Sequence, residues 1–211
     1  MSHLRVHQPS RRAMLRTGSL MLTSFALATC SRNVRSALRA VNPSLRGQNL
    51  SPTPACGDEP TPSQTAGPFY LLHSPQRTSL IEPGLAGTPI ILSGQVLSTR
   101  CEPIADVLLD FWHTDPQGEY DTSGYTFRGR QFTDAKGYYR LETILPGLYP
   151  GRTRHIHVRV QAPNQPAFTT QLYFPEEPLN QDDFLFQPEL LVALEANGDR
   201  PQALFNFVVT G

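Results

Sequence analysis

The chain has 211 residues, with 39% hydrophobic and 17% charged side chains, which suits one soluble domain plus a leader. Its formal net charge of +0 hides a split: no Asp or Glu occurs before Asp58, so the part from Asp58 onward carries all 18 acidic residues and a net charge of −8. A folded part so acidic is a poor nucleic-acid binder, because phosphate contacts need clustered Lys and Arg.

Residues 1–30 read as an export signal. The basic run Ser10-Arg11-Arg12-Ala13-Met14-Leu15-Arg16 precedes an apolar stretch from about 18 to 28. A basic segment followed by ~7–15 apolar residues is a secretory pattern, too short to span a bilayer permanently. The paired arginines resemble a twin-arginine signal; the alternative is an ordinary secretory signal with two adjacent arginines. Ala26-Leu27-Ala28 resembles a peptidase site, and Leu27-Ala28-Thr29-Cys30 resembles a lipobox with an atypical Thr. The expected location is therefore the periplasm, either free or tethered by a lipid at Cys30. Cys56 and Cys101 remain as an even pair suited to a disulfide in an oxidising compartment, against a reading as two buried thiols.

Residues 31–64 read as a linker, rich in Ser, Pro, Arg, Asn and Gly with no sustained apolar period. Residues 65–211 read as one all-β domain. Strands are expected near 89–97, 105–113, 137–143, 154–161, 168–174 and 203–210. Asp115-Pro-Gln-Gly118, Asp134-Ala-Lys-Gly137 and Pro146-Gly147 supply the turns. Short strands with frequent Gly and Pro imply a β-sandwich core with long loops and one or two short helices. The helix candidate is 188–195, which opens on a proline and stops near Asn197-Gly198.

The chemistry concentrates in the run Tyr149-Pro-Gly-Arg-Thr-Arg-His155-Ile-His157. On a strand His155 and His157 share one face, their Cα atoms ~6.6 Å apart, while Ile156, Val158 and Val160 face the core. Two such imidazoles reach a single metal ion. Tyr149 precedes the strand on a Pro-Gly turn, and Tyr120 follows the 115–118 turn, so two separate segments would converge at one rim of the sandwich. A phenolate ligand needs a cation acidic enough to displace a proton that ordinarily leaves near pH ~10. Zinc and calcium favour other donors, so two phenols with two imidazoles point to mononuclear, non-haem Fe(III).

These residues fall within a longer pattern. Thr61-Pro-Ser-Gln-Thr-Ala-Gly-Pro-Phe-Tyr70, Trp112-His-Thr-Asp-Pro-Gln-Gly-Glu-Tyr120, Phe127-Arg-Gly-Arg-Gln-Phe-Thr-Asp134, Thr143-Ile-Leu-Pro-Gly-Leu-Tyr149-Pro, Arg152-Thr-Arg-His155-Ile-His157 and Thr169-Thr-Gln171-Leu-Tyr-Phe174 occur in that order. The ordered set resembles the intradiol ring-cleavage dioxygenases, the family of protocatechuate 3,4-dioxygenase and catechol 1,2-dioxygenase. The resemblance implies a β-sandwich that binds Fe(III) through Tyr120, Tyr149, His155 and His157. It also implies cleavage of a catechol-type ring with O2, between its two hydroxyl-bearing carbons, to a cis,cis-muconate-type product. Tyr149 would accept a proton from the incoming catechol, and Arg152 would stabilise negative charge developing on the ring. Gln171 would hydrogen-bond to the substrate or orient Arg152. Gly67, Pro68 and Phe69 would wall the pocket, and Trp112 would support Tyr120. Tyr125 and Arg130 are further candidates for substrate contact. Gly151 stands where the protocatechuate enzymes carry a tryptophan, a change that would widen the pocket.

Taken singly, each of these residues has an ordinary explanation. A His pair on a strand is often a solvated face, and a lone arginine such as Arg152 is usually a surface charge. His73, His113, Arg154 and Arg159 read as surface or structural. The alternative function is a non-catalytic β-sandwich binding module that keeps the family frame; a further one is zinc in the same site of a hydrolase.

Overall fold

The computed structural model describes residues 59–195 and 200–210. Nine strands in these residues form two packed sheets. The five-stranded sheet contains β1 (Pro89–Ser98), β4 (Tyr138–Ile144), β7 (Ala193–Glu195), β8 (Gln202–Leu204) and β9 (Phe207–Val209). Its order is β4-β1-β8-β7, and β9 pairs with β1 beyond β8; both β8 and β9 run parallel to β1. The four-stranded sheet is antiparallel throughout, with β2 (Leu108–Trp112), β3 (Arg128–Phe132), β5 (His155–Gln161) and β6 (Phe168–Tyr173) in the order β3-β2-β5-β6. The architecture is the expected all-β sandwich.

Alternation builds the core. Ile156, Val158 and Val160 on β5 are fully buried, with Leu109 and Phe111 of β2 and Leu172 of β6 in the same apolar cluster. Each such side chain removed from water contributes roughly 1.5–3 kcal/mol before entropy is charged against it. The intervening residues of β5, β2 and β6 point away from that core, and His155, His157, Trp112, Gln171 and Tyr173 share this second face.

Three elements differ from the pattern in the sequence. The helix expected over 188–195 is a 3-10 turn at Pro188–Leu190 followed by β7. Leu190 and Val192 are both buried, a two-residue spacing that suits an extended chain, and the Val192 amide donates to Tyr173 O at 2.9 Å. Pairing with β8 and β6 thus outweighs helix propensity. The strand expected over 203–210 breaks into β8 and β9, because Phe205 O accepts from the Tyr139 hydroxyl and Asn206 Oδ1 accepts from the Gln95 amide. β3 carries no alternating apolar pattern; it is held by pairing with β2 on one side and by backbone bonds of Arg130 with Pro75 and Arg77 on the other. The remaining helical structure described is a second 3-10 turn at Pro178–Gln181.

Residues 61–64, at the end of the expected linker, bond to the sandwich: Thr61 N donates to Val208 O and Gln64 N to Thr169 O. Cys101 is disulfide-bonded. Its expected partner Cys56, the leader and Cys30 lie outside the described residues. No helix among the described residues is long and apolar enough to cross a membrane.

Candidate metal centre

His155 opens β5 and His157 follows on the same face; both are 4% exposed, so the pair is a buried feature and not a solvated one. His155 Nδ1 lies 2.6 Å from the Thr153 carbonyl oxygen. A carbonyl only accepts, so Nδ1 carries the proton and Nε2 keeps a free lone pair. Tyr120 Oη lies 3.1 Å from His155 Nε2 and 3.1 Å from His157 Nε2. Trp112 lies stacked on the His157 ring, with centroids 4.8 Å apart.

Backbone contact between two turns sets the tyrosines side by side. Asp115 Oδ1 accepts from the amides of Gln117 and Glu119, which shapes the turn leading to Tyr120. The Asp115 carbonyl then accepts from the Gly147 amide at 2.9 Å, and the Thr114 hydroxyl donates to Gly147 O at 2.8 Å. A Cβ on Gly147 would stand 2.4 Å from Asp115 O, and one on Gly118 2.1 Å from Leu148 O. Only glycine permits this approach. It leaves the Tyr120 and Tyr149 rings 5.7 Å apart, with Phe69 stacked on Tyr120 at 4.6 Å and edge-on to Tyr149 at 5.6 Å.

The electrostatics suit a cation. Burial lowers the pKa of His155 to about 4 and that of His157 well below its usual range, so both imidazoles are neutral. Burial also pushes the Tyr120 phenol well above its usual range. His157 Nδ1 has no hydrogen-bond partner among the described residues, so no bond holds the His157 proton on Nδ1 in preference to Nε2. With that proton on Nδ1, both histidine Nε2 lone pairs converge on Tyr120 Oη, and a positive ion there satisfies the two together where the one Tyr120 proton satisfies one. Among the described residues no three His, Cys, Asp or Glu side chains group closely enough to hold a metal. A metal at the histidine pair would therefore complete its protein ligands with phenol oxygen, a hard donor that suits Fe(III). The residues present fit that ion.

Arg152 stands beside this group on a turn in which its amide donates to Tyr149 O at 3.0 Å. Its Nε lies 3.0 and 2.9 Å from the two Asp183 oxygens, and its Nη2 donates to Gln171 Oε1 at 2.7 Å. Gln171 is fully buried and its Nε2 donates to Thr65 O at 3.0 Å, so it holds Arg152 with one end and the segment before Gly67 with the other.

The family model described as Dioxygenase matches residues 66–211. The chain belongs to the intradiol ring-cleavage dioxygenase family. It is 27% identical to a catechol 1,2-dioxygenase of Pseudomonas sp. (strain EST1001) over 162 residues, 64% of this chain and 54% of that protein. It is 32% identical to the protocatechuate 3,4-dioxygenase beta chain of Burkholderia cepacia over 119 residues, 48% of this chain and 51% of that one. The chain thus spans about half the length of these curated relatives. Among solved structures, the dioxygenase domain of a dioxygenase carbohydrate-binding protein fusion from Streptomyces sp. SirexAA-E is 51% identical, with a TM-score of 0.71. That match covers 72% of this chain and 99% of the Streptomyces domain. The 3-chlorocatechol 1,2-dioxygenase of Rhodococcus opacus 1CP is 28% identical, with a TM-score of 0.66, covering 71% of this chain and 72% of that one.

The other candidate residues of this intradiol dioxygenase family member fall around the centre as follows. Gly67 has φ +64, and a Cβ there would meet His157 Cε1 at 3.8 Å, so the 67–69 segment lies over the site with Pro68 exposed. Trp112 stacks directly on His157. Tyr125 donates to Leu72 O, and Arg130 sits in the β3 ladder opposite Asp110. His113 is fully bonded inside the fold, Nδ1 to Thr114 O at 2.7 Å and Nε2 to Thr143 Oγ1 at 2.6 Å. Arg154 pairs with Glu177, and the Arg159 guanidinium lies 5.6 Å over the Tyr70 ring. An added Cβ on Gly151 meets nothing within 4 Å. Two features escape the sequence reading: Asp183, 31 positions from the arginine it holds, and the contact of Gly118 with Leu148, visible beforehand only as turn residues.

Proposed function

We propose that this chain is an Fe(III)-dependent intradiol dioxygenase that cleaves a catechol-type ring with O2 to a cis,cis-muconate-type dicarboxylate. The convergence of Tyr120 Oη with both histidine Nε2 atoms at 3.1 Å carries the reading. Tyr120, Tyr149, His155 and His157 would hold the iron. Ferric iron bound there would supply Lewis acidity toward the two catechol hydroxyls and the covalency that opens the ring to O2. Held as a phenolate by the metal, Tyr149 would have the free lone pair to take one catechol proton, and its side chain is half-buried. The imidazoles, neutral and buried, do not compete for that proton. Arg152 sets a fixed positive charge beside the ring where negative charge develops. Phe69 and Trp112 keep water from the ligand atoms.

The relatives' activities on catechol, protocatechuate and chlorocatechol support this substrate class. The lack of a side chain at Gly151, expected from the sequence to widen the pocket, supports catechols larger than the parent compound. The paired arginines and the apolar stretch behind them support export to the periplasm.

The deciding experiment is oxygen uptake by iron-loaded protein across catechol, protocatechuate, hydroxyquinol and larger biomass-derived catechols, with mass analysis of the products. A product containing both oxygen atoms of O2 and two new carboxylates is expected. A colourless, correctly matured protein without iron, or absence of uptake on every catechol, would favour the binding-module reading.

A further inference from the structure

We propose that Asp183 is the positioning residue for Arg152, fixing the guanidinium so that its Nη1 edge alone is offered to substrate. The Asp183 side chain is 1% exposed and that of Arg152 13% exposed. The Asp183 carboxylate accepts from Arg152 Nε with both oxygens, from the Thr153 amide at 2.9 Å and from the Leu185 amide at 2.9 Å. Every group around it is a donor. An asparagine there would turn an NH2 toward an N–H, so neutral replacement loses both charge and fit.

Arg152 depends on this anchor. Its backbone lies in a turn beside Gly151, which has φ +76, and its side chain reaches from that turn to Asp183 and Gln171. Of the guanidinium's donors, Nε is committed to Asp183 and Nη2 to Gln171, with Tyr173 Oη at 3.4 Å. Nη1 makes no hydrogen bond among the described residues. Asp183 and Gln171 therefore grip one edge of the planar fork and leave the other free. The carboxylate offsets part of the arginine's charge, so the direction of the free donor edge decides where the remaining positive field falls. Thr153, whose amide donates to Asp183 and whose carbonyl orients His155, is itself held by its hydroxyl, which donates to Asn180 Oδ1 at 2.7 Å.

This inference rests on the proposed ring cleavage, and a double-mutant cycle tests it on the iron-loaded full chain with Arg152→Ala and Asp183→Asn. Wild-type turnover tests the ring-cleavage reading by itself, and the cycle is read both in kcat/KM and in catechol affinity by calorimetry, so the two fail separately. Asp183→Asn is expected to keep its iron and lose about 10²-fold in kcat/KM, the scale of a misplaced catalytic group. The double variant is expected to be no worse than Arg152→Ala, because a residue that acts through another has nothing left to act on. Wild-type kcat/KM and affinity in Asp183→Asn, or losses that multiply in the double variant, would overturn the proposal. If Asp183→Asn does not fold, recovery of folded protein on adding Arg152→Ala supports it, since an unpaired buried arginine is then the fault. Failure to fold in both backgrounds makes Asp183 a purely structural residue and overturns it.

Discussion

Trp112 lies flat against His157, ring centroids 4.8 Å apart and planes 3° from parallel. The two are cross-strand partners of β2 and β5, so the contact is built into the sheet register. The indole covers one face of the imidazole, leaving the ring edge for coordination.

Trp112→Ala should remove a fully buried indole and cost about 3–5 kcal/mol of stability. Trp112→Phe should keep a ring against His157, cost less and retain iron. Chemical denaturation and metal analysis read both; an alanine variant as stable as wild type, or a phenylalanine variant that alone loses iron, contradicts this role.

Tyr120→Phe removes an oxygen that contacts both histidines. The ring still stacks on Phe69, so the fold should survive while iron content falls and the ferric-phenolate colour fades or shifts. Full iron content with unchanged absorption would remove Tyr120 from the ligand set.

Much of this centre was legible in the chain because alternation and ligand spacing are local. His155, Ile156, His157 and Val158 declare a strand with one apolar face, and that strand forms where expected. The helix over 188–195 was misread for the opposite reason: Val192 and Leu194 are held by partners in β6 and β8, and nothing nearby in sequence announces them. Asp183 is invisible beforehand on the same ground, since one carboxylate in a loop gains meaning only when folding brings Arg152 to it. The pairing of Trp112 with His157 is likewise set by strand register, which the order of residues in the motif does not display.

Gly147→Ala should force apart the two turns that carry the tyrosines, because the new Cβ would lie 2.4 Å from both Asp115 O and Gly118 N. Overpacking of this kind costs about 1–3 kcal/mol, and the displaced phenols should lower iron affinity about 10- to 100-fold. Gly151→Ala is the contrast: it has open space, so its positive φ should cost about 1–2 kcal/mol while iron affinity stays close to wild type. Equal iron affinities in the two variants would show that the close approach does not position the ligands.

His113 supplies a pH dependence separable from the metal centre. Its Nδ1 donates to Thr114 O and its Nε2 lies 2.6 Å from Thr143 Oγ1, so the neutral ring is fully bonded where it is buried. Burial holds its pKa at about 4, below the ordinary 6.5. Between those values the unfolded chain binds a proton that the native chain does not. The contribution of His113 is therefore constant above pH about 6.5, falls as pH drops toward about 4, and is lost below that. The loss over this window is at most about 3 kcal/mol. Iron-free wild type and His113→Asn should both weaken in acid, because His155 and His157 are also buried neutral, but wild type should weaken more steeply. Denaturant midpoints measured from pH 7 to 4 read the difference, and parallel curves would mean that the ring accepts its proton inside the fold.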